Sequence, residues 1–149
     1  MVTYMEKVIE FMHRFLEDES EFTDEELDLY KIALTHSTYG SQGNQRLAFL
    51  GDAVLKQIIR EHLYLKNPYD CKGILTMASS RIESNNNYSK IAINLNVFNY
   101  MRVGNPALKS HNITANAEAL EALFGAVYLT KGLQTAKRLA EKYILNNNL

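Results

Sequence analysis

Gln45, Ala48 and Asp52 are spaced three and four residues apart and therefore share one face of a helix. Glu118 and Glu121, three apart, share a face of another. Glu121 is the more informative, because every other residue from Leu120 to Leu129 is apolar or Gly. An ionised carboxylate in such a stretch is costly unless it is paired or bound to a cation. Asp52 sits likewise among Leu47, Phe49, Leu50, Ala53, Val54 and Leu55. Packing of the two helices would bring Asp52, Glu118 and Glu121 together with no base expected beside them. Oxygen-only ligation of that kind suits Mg²⁺, with Mn²⁺ as the alternative ion. Spacing alone leaves other roles open: a surface ion pair with a lysine for Glu118, a hydrogen bond to a neighbouring helix end for Asp52, and a buried ion pair with Arg46 or Arg81 for Glu121.

Other chemistry-bearing residues carry weaker patterns. His36 lies near a loop, where it either touches substrate or caps a helix end. His13, His62 and His111 lack metal-ligand spacing, and Ser37 lacks the context of a nucleophile elbow. Gly40, Gly43 and Gly104 make no phosphate-binding loop pattern.

The elements that must position the acids read as helices throughout. Met5, Val8, Ile9, Met12, Phe15 and Leu16 form one apolar stripe, and Thr23 with Glu26 makes a capping box for a second helix through Leu34. Residues 36–43 read as a loop. Asn44 is placed to cap a long helix that runs to about Asn67, ahead of Pro68. From Gly73 to Leu95 the chain is again helix-prone, with Ile74, Met77, Ile82, Ile91 and Leu95 as core candidates. A short helix over Val97–Met101 and a loop over Val103–Thr114 follow. Ala115–Thr130 is strongly helical, Gly132 is a natural cap, and Leu133–Leu145 forms the last helix. With almost no Val-Ile-Thr alternation, an all-α fold is expected.

The length, 149 residues, suits a single domain comprising an acidic N-terminal helix and linker over 1–22 and a core over 23–149. Hydrophobic residues at 46% and charged residues at 22% exclude collagen-like and globally disordered chains. Cys71 is the only cysteine, which excludes an intrachain disulfide and a cysteine-based zinc site. Acids early in the chain, Glu6 and Glu10, argue against a targeting peptide, and no apolar run is long enough for a membrane span. A cytoplasmic protein with no membrane partner is the expectation. Charge is uneven: residues 1–28 hold ten acids and two bases, a net of −8, which leaves +7 for 29–149. A basic body is compatible with a polyanionic partner, although lysines that merely solvate helices give the same total.

The run from Asn44 through Gln45, Arg46, Leu47, Ala48, Phe49, Leu50, Gly51, Asp52, Ala53 and Val54 to Leu55 resembles the ribonuclease III signature N-E-R-L-E-F-L-G-D-A-V-L. Ala33 to Tyr39 resembles that family's A-L-T-H-x-S-Y segment, and Ala117 to Leu129 resembles its A-D-x-x-E-A-L-I-G-A-I-Y-L motif. The resemblance covers nearly the whole chain from about residue 24. It implies an all-α endonuclease domain that dimerises and hydrolyses double-stranded RNA with Mg²⁺, leaving 5′-phosphate and 3′-hydroxyl ends. Asp52 and Glu121 match the family's catalytic, metal-site acids. Glu118 stands where the family usually has Asp. Phe49 matches the aromatic that enters a socket on the partner subunit, which implies a homodimer.

Two departures stand out. The signature's metal-ligating glutamate is Ala48 here, and its earlier glutamate is Gln45. The Mini-III ribonucleases, also short, look similar at this point, so the loss does not by itself imply inactivity. A catalytically degenerate RNA-binding or ribonucleoprotein scaffold is the alternative. No double-stranded-RNA-binding domain is expected after Leu149. RNA affinity is therefore expected from Arg46, Lys56, Arg60, Lys66, Arg102 and Lys109, or from a separate RNA-binding protein.

Overall fold

The computed structural model describes residues 1–40 and 43–146. Part of the expected loop, Ser41 and Gln42, lies outside the described residues, as does the end of the chain. Helix α1 spans Tyr4–Leu16, and the Thr3 side chain accepts a hydrogen bond from the Glu6 backbone. Its buried face is Val8, Phe11, Met12, Phe15 and Leu16, whereas Met5 and Ile9, on the expected stripe, are half-buried. Phe11 belongs to the core because it stacks on Phe15 and packs against Tyr100. Helix α2, Asp24–Ala33, opens with the expected capping box between Thr23 and Glu26.

Asn44 departs from its expected role. It precedes α3, Gln45–Lys66, but its side chain makes no cap to that helix. Fully buried, it donates instead to the Ala33 carbonyl at 3.2 Å, which satisfies an acceptor at the end of α2. Helix α3 is 22 residues long, about 33 Å at ~1.5 Å per residue, and reaches across the molecule.

The helix-prone stretch after Gly73 is two helices, α4 at Lys72–Ile82 and α5 at Asn85–Asn94. Ser84 divides them, because its hydroxyl accepts from the Asn87 backbone and starts a new helix. Ile74 and Met77 are exposed rather than core, since α4 turns only Ile82 and Ser79 fully inward. A 3₁₀ turn at Val97–Tyr100 replaces the expected short helix. Helix α6 covers Ile113–Lys131 and begins two residues early, where Asn112 caps the Ala115 amide. Gly132, at φ 90°, separates it from α7, Leu133–Ala140, and a π-turn over Glu141–Leu145 ends the described chain. No strand occurs among the described residues. An isolated bridge ties Thr35 to Arg102, and Thr38 Oγ1 accepts from the Gly104 and Asn105 amides, so the two loops are stitched together.

The centre of the fold is the crossing of α3 and α6. A Cβ added at Gly51 would lie 1.6 Å from the Glu121 carbonyl oxygen, and one at Gly125 would lie 2.4 Å from that of Leu47. The two backbones therefore touch, and only residues without a Cβ permit it. Ala119, Ala122 and Ala126 line the same helix fully buried, which keeps the approach close along its length.

Two acids of the N-terminal segment pair with bases from the far end of the chain. Glu17 pairs with Arg138 and Lys142, and Glu26 with Lys131. The hydrogen bond from Lys142 holds the Glu17 carboxyl below its ordinary range, and Lys131 does the same for Glu26. These pairs neutralise part of the basic excess that the charge count suggests.

Candidate active site

Gly51 precedes Asp52 in sequence, and the carbonyl it packs against belongs to Glu121. The closest point of the helix crossing thus delivers both acids to one place. The two carboxyl groups lie close enough that the charge of Asp52 bears directly on Glu121. Burial pushes the Glu121 carboxyl up to about 8, with the nearness and negative charge of Asp52 adding to the effect. The Lys56 ammonium opposes that rise, and Glu118 reinforces it from farther along the same face. Tyr88 lies fully buried nearby, and burial with the charges of Glu83, Glu121 and Asp52 drives its phenol well above its ordinary range.

The bases do not stand where sequence spacing suggested. Lys56 Nζ donates to both Asp52 oxygens, at 2.7 and 2.8 Å. The expectation that no base stands beside the acids fails here, because Lys56 is one helical turn after Asp52 in the favourable orientation for an ion pair. Among the described residues no three His, Cys, Asp or Glu side chains form a group that could hold a metal ion. The site is therefore an Asp52–Glu121 pair with Glu118 nearby, not a closed trio. Neighbouring carboxylates repel one another, and the Lys56 ammonium on Asp52 offsets part of that repulsion. Ala48, one turn before Asp52, is 7% exposed and fills its position with a methyl group, while Gln45 is exposed.

The remaining candidates are spread over several surfaces. Arg46 and Arg102 border one groove of about 700 Å³. Arg102 donates to Thr35 Oγ1 and lies between the Tyr4 and Tyr39 rings at 4.8 and 4.6 Å, so its guanidinium is committed to holding the loops. Arg60 makes paired hydrogen bonds to Glu83, Lys109 lines a hollow in the 105–114 loop, and Lys66 is exposed at the end of α3. His36 receives the Thr38 amide on Nδ1 and shapes its own loop. Phe49 is 84% exposed, unusual for a large apolar side chain beside a core helix seam. The sequence contained the signal for the Lys56 contact in its i, i+4 spacing, whereas Tyr88 and the Arg60–Glu83 pair depend on tertiary packing.

A ribonuclease-III-like family model matches residues 26–148. The chain belongs to the ribonuclease III family. Ribonuclease 3 of Dechloromonas aromatica is 37% identical over 117 residues, which are 76% of this chain and 53% of that protein. Ribonuclease 3 of Pseudomonas aeruginosa is 36% identical over 125 residues, 82% of this chain and 55% of that one. The chain thus spans about half the length of these relatives. Among solved structures, the ribonuclease III nuclease domain of Campylobacter jejuni superposes with a TM-score of 0.83 at 33% identity, covering 93% of this chain and 97% of that one. Dicer of Giardia intestinalis shares the fold at TM-score 0.76 and 21% identity, over 97% of this chain and 20% of that one. The all-α ribonuclease III nuclease fold is established, and Asp52 and Glu121 lie at its central helix crossing. No described helix is long and apolar enough to cross a membrane.

Proposed function

We propose that the protein is an endoribonuclease that hydrolyses phosphodiester bonds of double-stranded RNA with Mg²⁺ as a homodimer, leaving 5′-phosphate and 3′-hydroxyl ends. The observation that carries this reading is the Asp52–Glu121 carboxyl pair seated at the glycine-lined crossing of α3 and α6. The side chains at the crossing are of the kind a hard divalent cation takes: Asp52 and Glu121 are oxygen donors, and burial makes the negative charge of Glu121 costly without a cation beside it. Asp52 and Glu121 would hold the ion, with Glu118 adding charge or a bridging water. Bound there, a divalent ion supplies polarisation of a phosphoryl oxygen and activation of a water. To hold the ion, Asp52 would have to give up its contact with Lys56 and Glu121 would have to be ionised. The crossing itself fixes the separation of the two carboxyls, so neither needs a flexible loop to orient it.

The test is incubation of the purified protein with labelled duplex RNA and Mg²⁺ or Mn²⁺. Metal-dependent fragments with 5′-phosphate ends are expected. Binding without cleavage would favour the second reading, a catalytically degenerate RNA-binding scaffold, for which the buried methyl of Ala48 in a carboxylate's place is the specific observation. The same experiment with added fractions tests for a separate RNA-binding protein.

Phe49 and the groove support the dimer. The groove is lined by Leu29, Ile32, Tyr39, Leu47, Leu50 and Leu129, an apolar recess suited to an aromatic side chain. The C. jejuni neighbour is described as having a region involved in dimer formation. In a two-fold dimer each Phe49 enters the other subunit's groove, so any loss is counted twice. Removing about 2 kcal/mol of apolar burial at each end, about 4 kcal/mol in all, weakens association by roughly a thousandfold. Phe49→Ala is accordingly expected to run as a monomer by light scattering at micromolar concentration, where the wild type runs as a dimer.

A further inference from the structure

Lys56 has a role in this site beyond neutral solvation. It lies one turn after Asp52 on α3, and Ala48 lies one turn before, so all three share a face. Along that face one acid is matched by one base, with a methyl group in the remaining position. The ammonium takes both Asp52 oxygens, leaving neither free of a cationic partner. The contact is not locked in: the two side chains are 39% and 45% exposed, and among the described residues no other acid forms an ion pair with Lys56. An i, i+4 pair of that exposure is worth only about 0.3–0.5 kcal/mol, so the lysine can swing into solvent on its four-carbon stem.

We infer that Lys56 is a built-in competitor for the divalent ion: its ammonium holds Asp52 when the site is empty and must leave before an ion binds. It thereby raises the ion concentration that the site requires. This rests on the proposed metal site and adds to it a residue that tunes affinity. Two effects act together. Displacing the ammonium forfeits the ion pair, and the displaced charge, still tethered nearby, repels the incoming cation at a distance shorter than the ~8–10 Å screening length. A site with one acid replaced by Ala48 has little charge to spare for either effect.

The experiment is titration of Mn²⁺ and of Mg²⁺ into RNA-free protein, read by calorimetry and, for Mn²⁺, by loss of the free-ion electron paramagnetic resonance signal. Four proteins are compared: wild type, Lys56→Gln, Lys56→Arg and Asp52→Asn, each checked for a wild-type circular dichroism spectrum. Lys56→Gln is expected to bind about three- to tenfold more tightly, the product of a lost ion pair and a lost repulsion. Lys56→Arg retains the charge and is expected to stay within about twofold of wild type. Asp52→Asn is expected to lose the site. Equal or weaker binding by Lys56→Gln, with binding still abolished in Asp52→Asn, overturns the competitor role while leaving the metal site standing. Binding that persists in Asp52→Asn, or is absent from wild type and Lys56→Gln alike, overturns the metal site and the competitor together.

Discussion

Glu121→Gln is expected to abolish cleavage of duplex RNA and, in the same protein, to raise the melting temperature in EDTA above pH 8. The first effect follows from removing a carboxylate that the ion needs: an amide supplies a neutral, weaker ligand, and losses of about a thousandfold or more are usual when such a group goes. The second follows from linkage. The Glu121 carboxyl is raised from its ordinary value to about 8 in the folded protein. Between the unfolded value and about 8 the native state binds more protons than the unfolded state, so stability is full below the unfolded pKa and falls as pH rises through about 8. Gln lacks that titration and stays neutral at every pH, as the protonated carboxyl is. With the partial exposure of the group discounted, the difference above pH 8 is on the order of 1–2 kcal/mol, or roughly 3–8 °C for a chain of this size. Melting curves in EDTA from pH 4 to 9 check it: the wild type declines and the variant stays flat. A variant that cuts at the wild-type rate, or melts lower at pH 9, would refute the site assignment. Ordinary structural damage lowers activity and stability together, so the opposed signs are diagnostic.

How much of this was legible beforehand depends on which interactions are local. The long helix α3 and the capping box of α2 are local patterns, and both were readable: apolar spacing fixes the first, and Thr23 with Glu26 fixes the second. The pairing of Asp52 with Glu121 was inferable only by supposing that their helices pack. What makes them pack, the backbone contact at Gly51 and Gly125, is invisible to periodicity because glycine has no side chain to count. Asn44 misled because an Asn before a helix is the commonest N-cap, whereas here the demand of the Ala33 carbonyl in the interior prevails. Ile74 and Met77 misled for the opposite reason, since apolar residues on a helix do not reveal whether a neighbour covers them. The contact of Lys56 with Asp52 is local in the same way as the capping box, since their i, i+4 spacing on one helix is enough to predict it.

The same chemical change at two glycines is expected to move stability in opposite directions. Gly51→Ala places a methyl group where the Glu121 carbonyl oxygen stands, 1.6 Å away, and no rotamer change can relieve a collision between a Cβ and backbone. The helices must separate by more than 1 Å along their central seam, opening voids beside Ala119 and Ala122, which are fully buried. A cost above about 3 kcal/mol is expected, a large share of the 5–15 kcal/mol typical of a whole domain. Gly73→Ala meets only the Cys71 Sγ, 4.0 Å away, in the first turn of α4. There the added methyl removes unfolded-chain freedom and raises helix propensity, for a gain of a few tenths of a kcal/mol. Urea denaturation of the two variants beside wild type measures both. Equal effects would mean that the crossing is looser than the backbone contact requires. If Gly51→Ala does fold, the collision falls on the carbonyl of Glu121 next to Asp52, so the two carboxyls part. The decline of stability toward pH 8 should then shrink, because opening the seam lessens the burial that chiefly raises Glu121 and moves the Asp52 charge away from it. Close backbone approach and acid pairing are thus one structural feature, and a single methyl group is expected to abolish both.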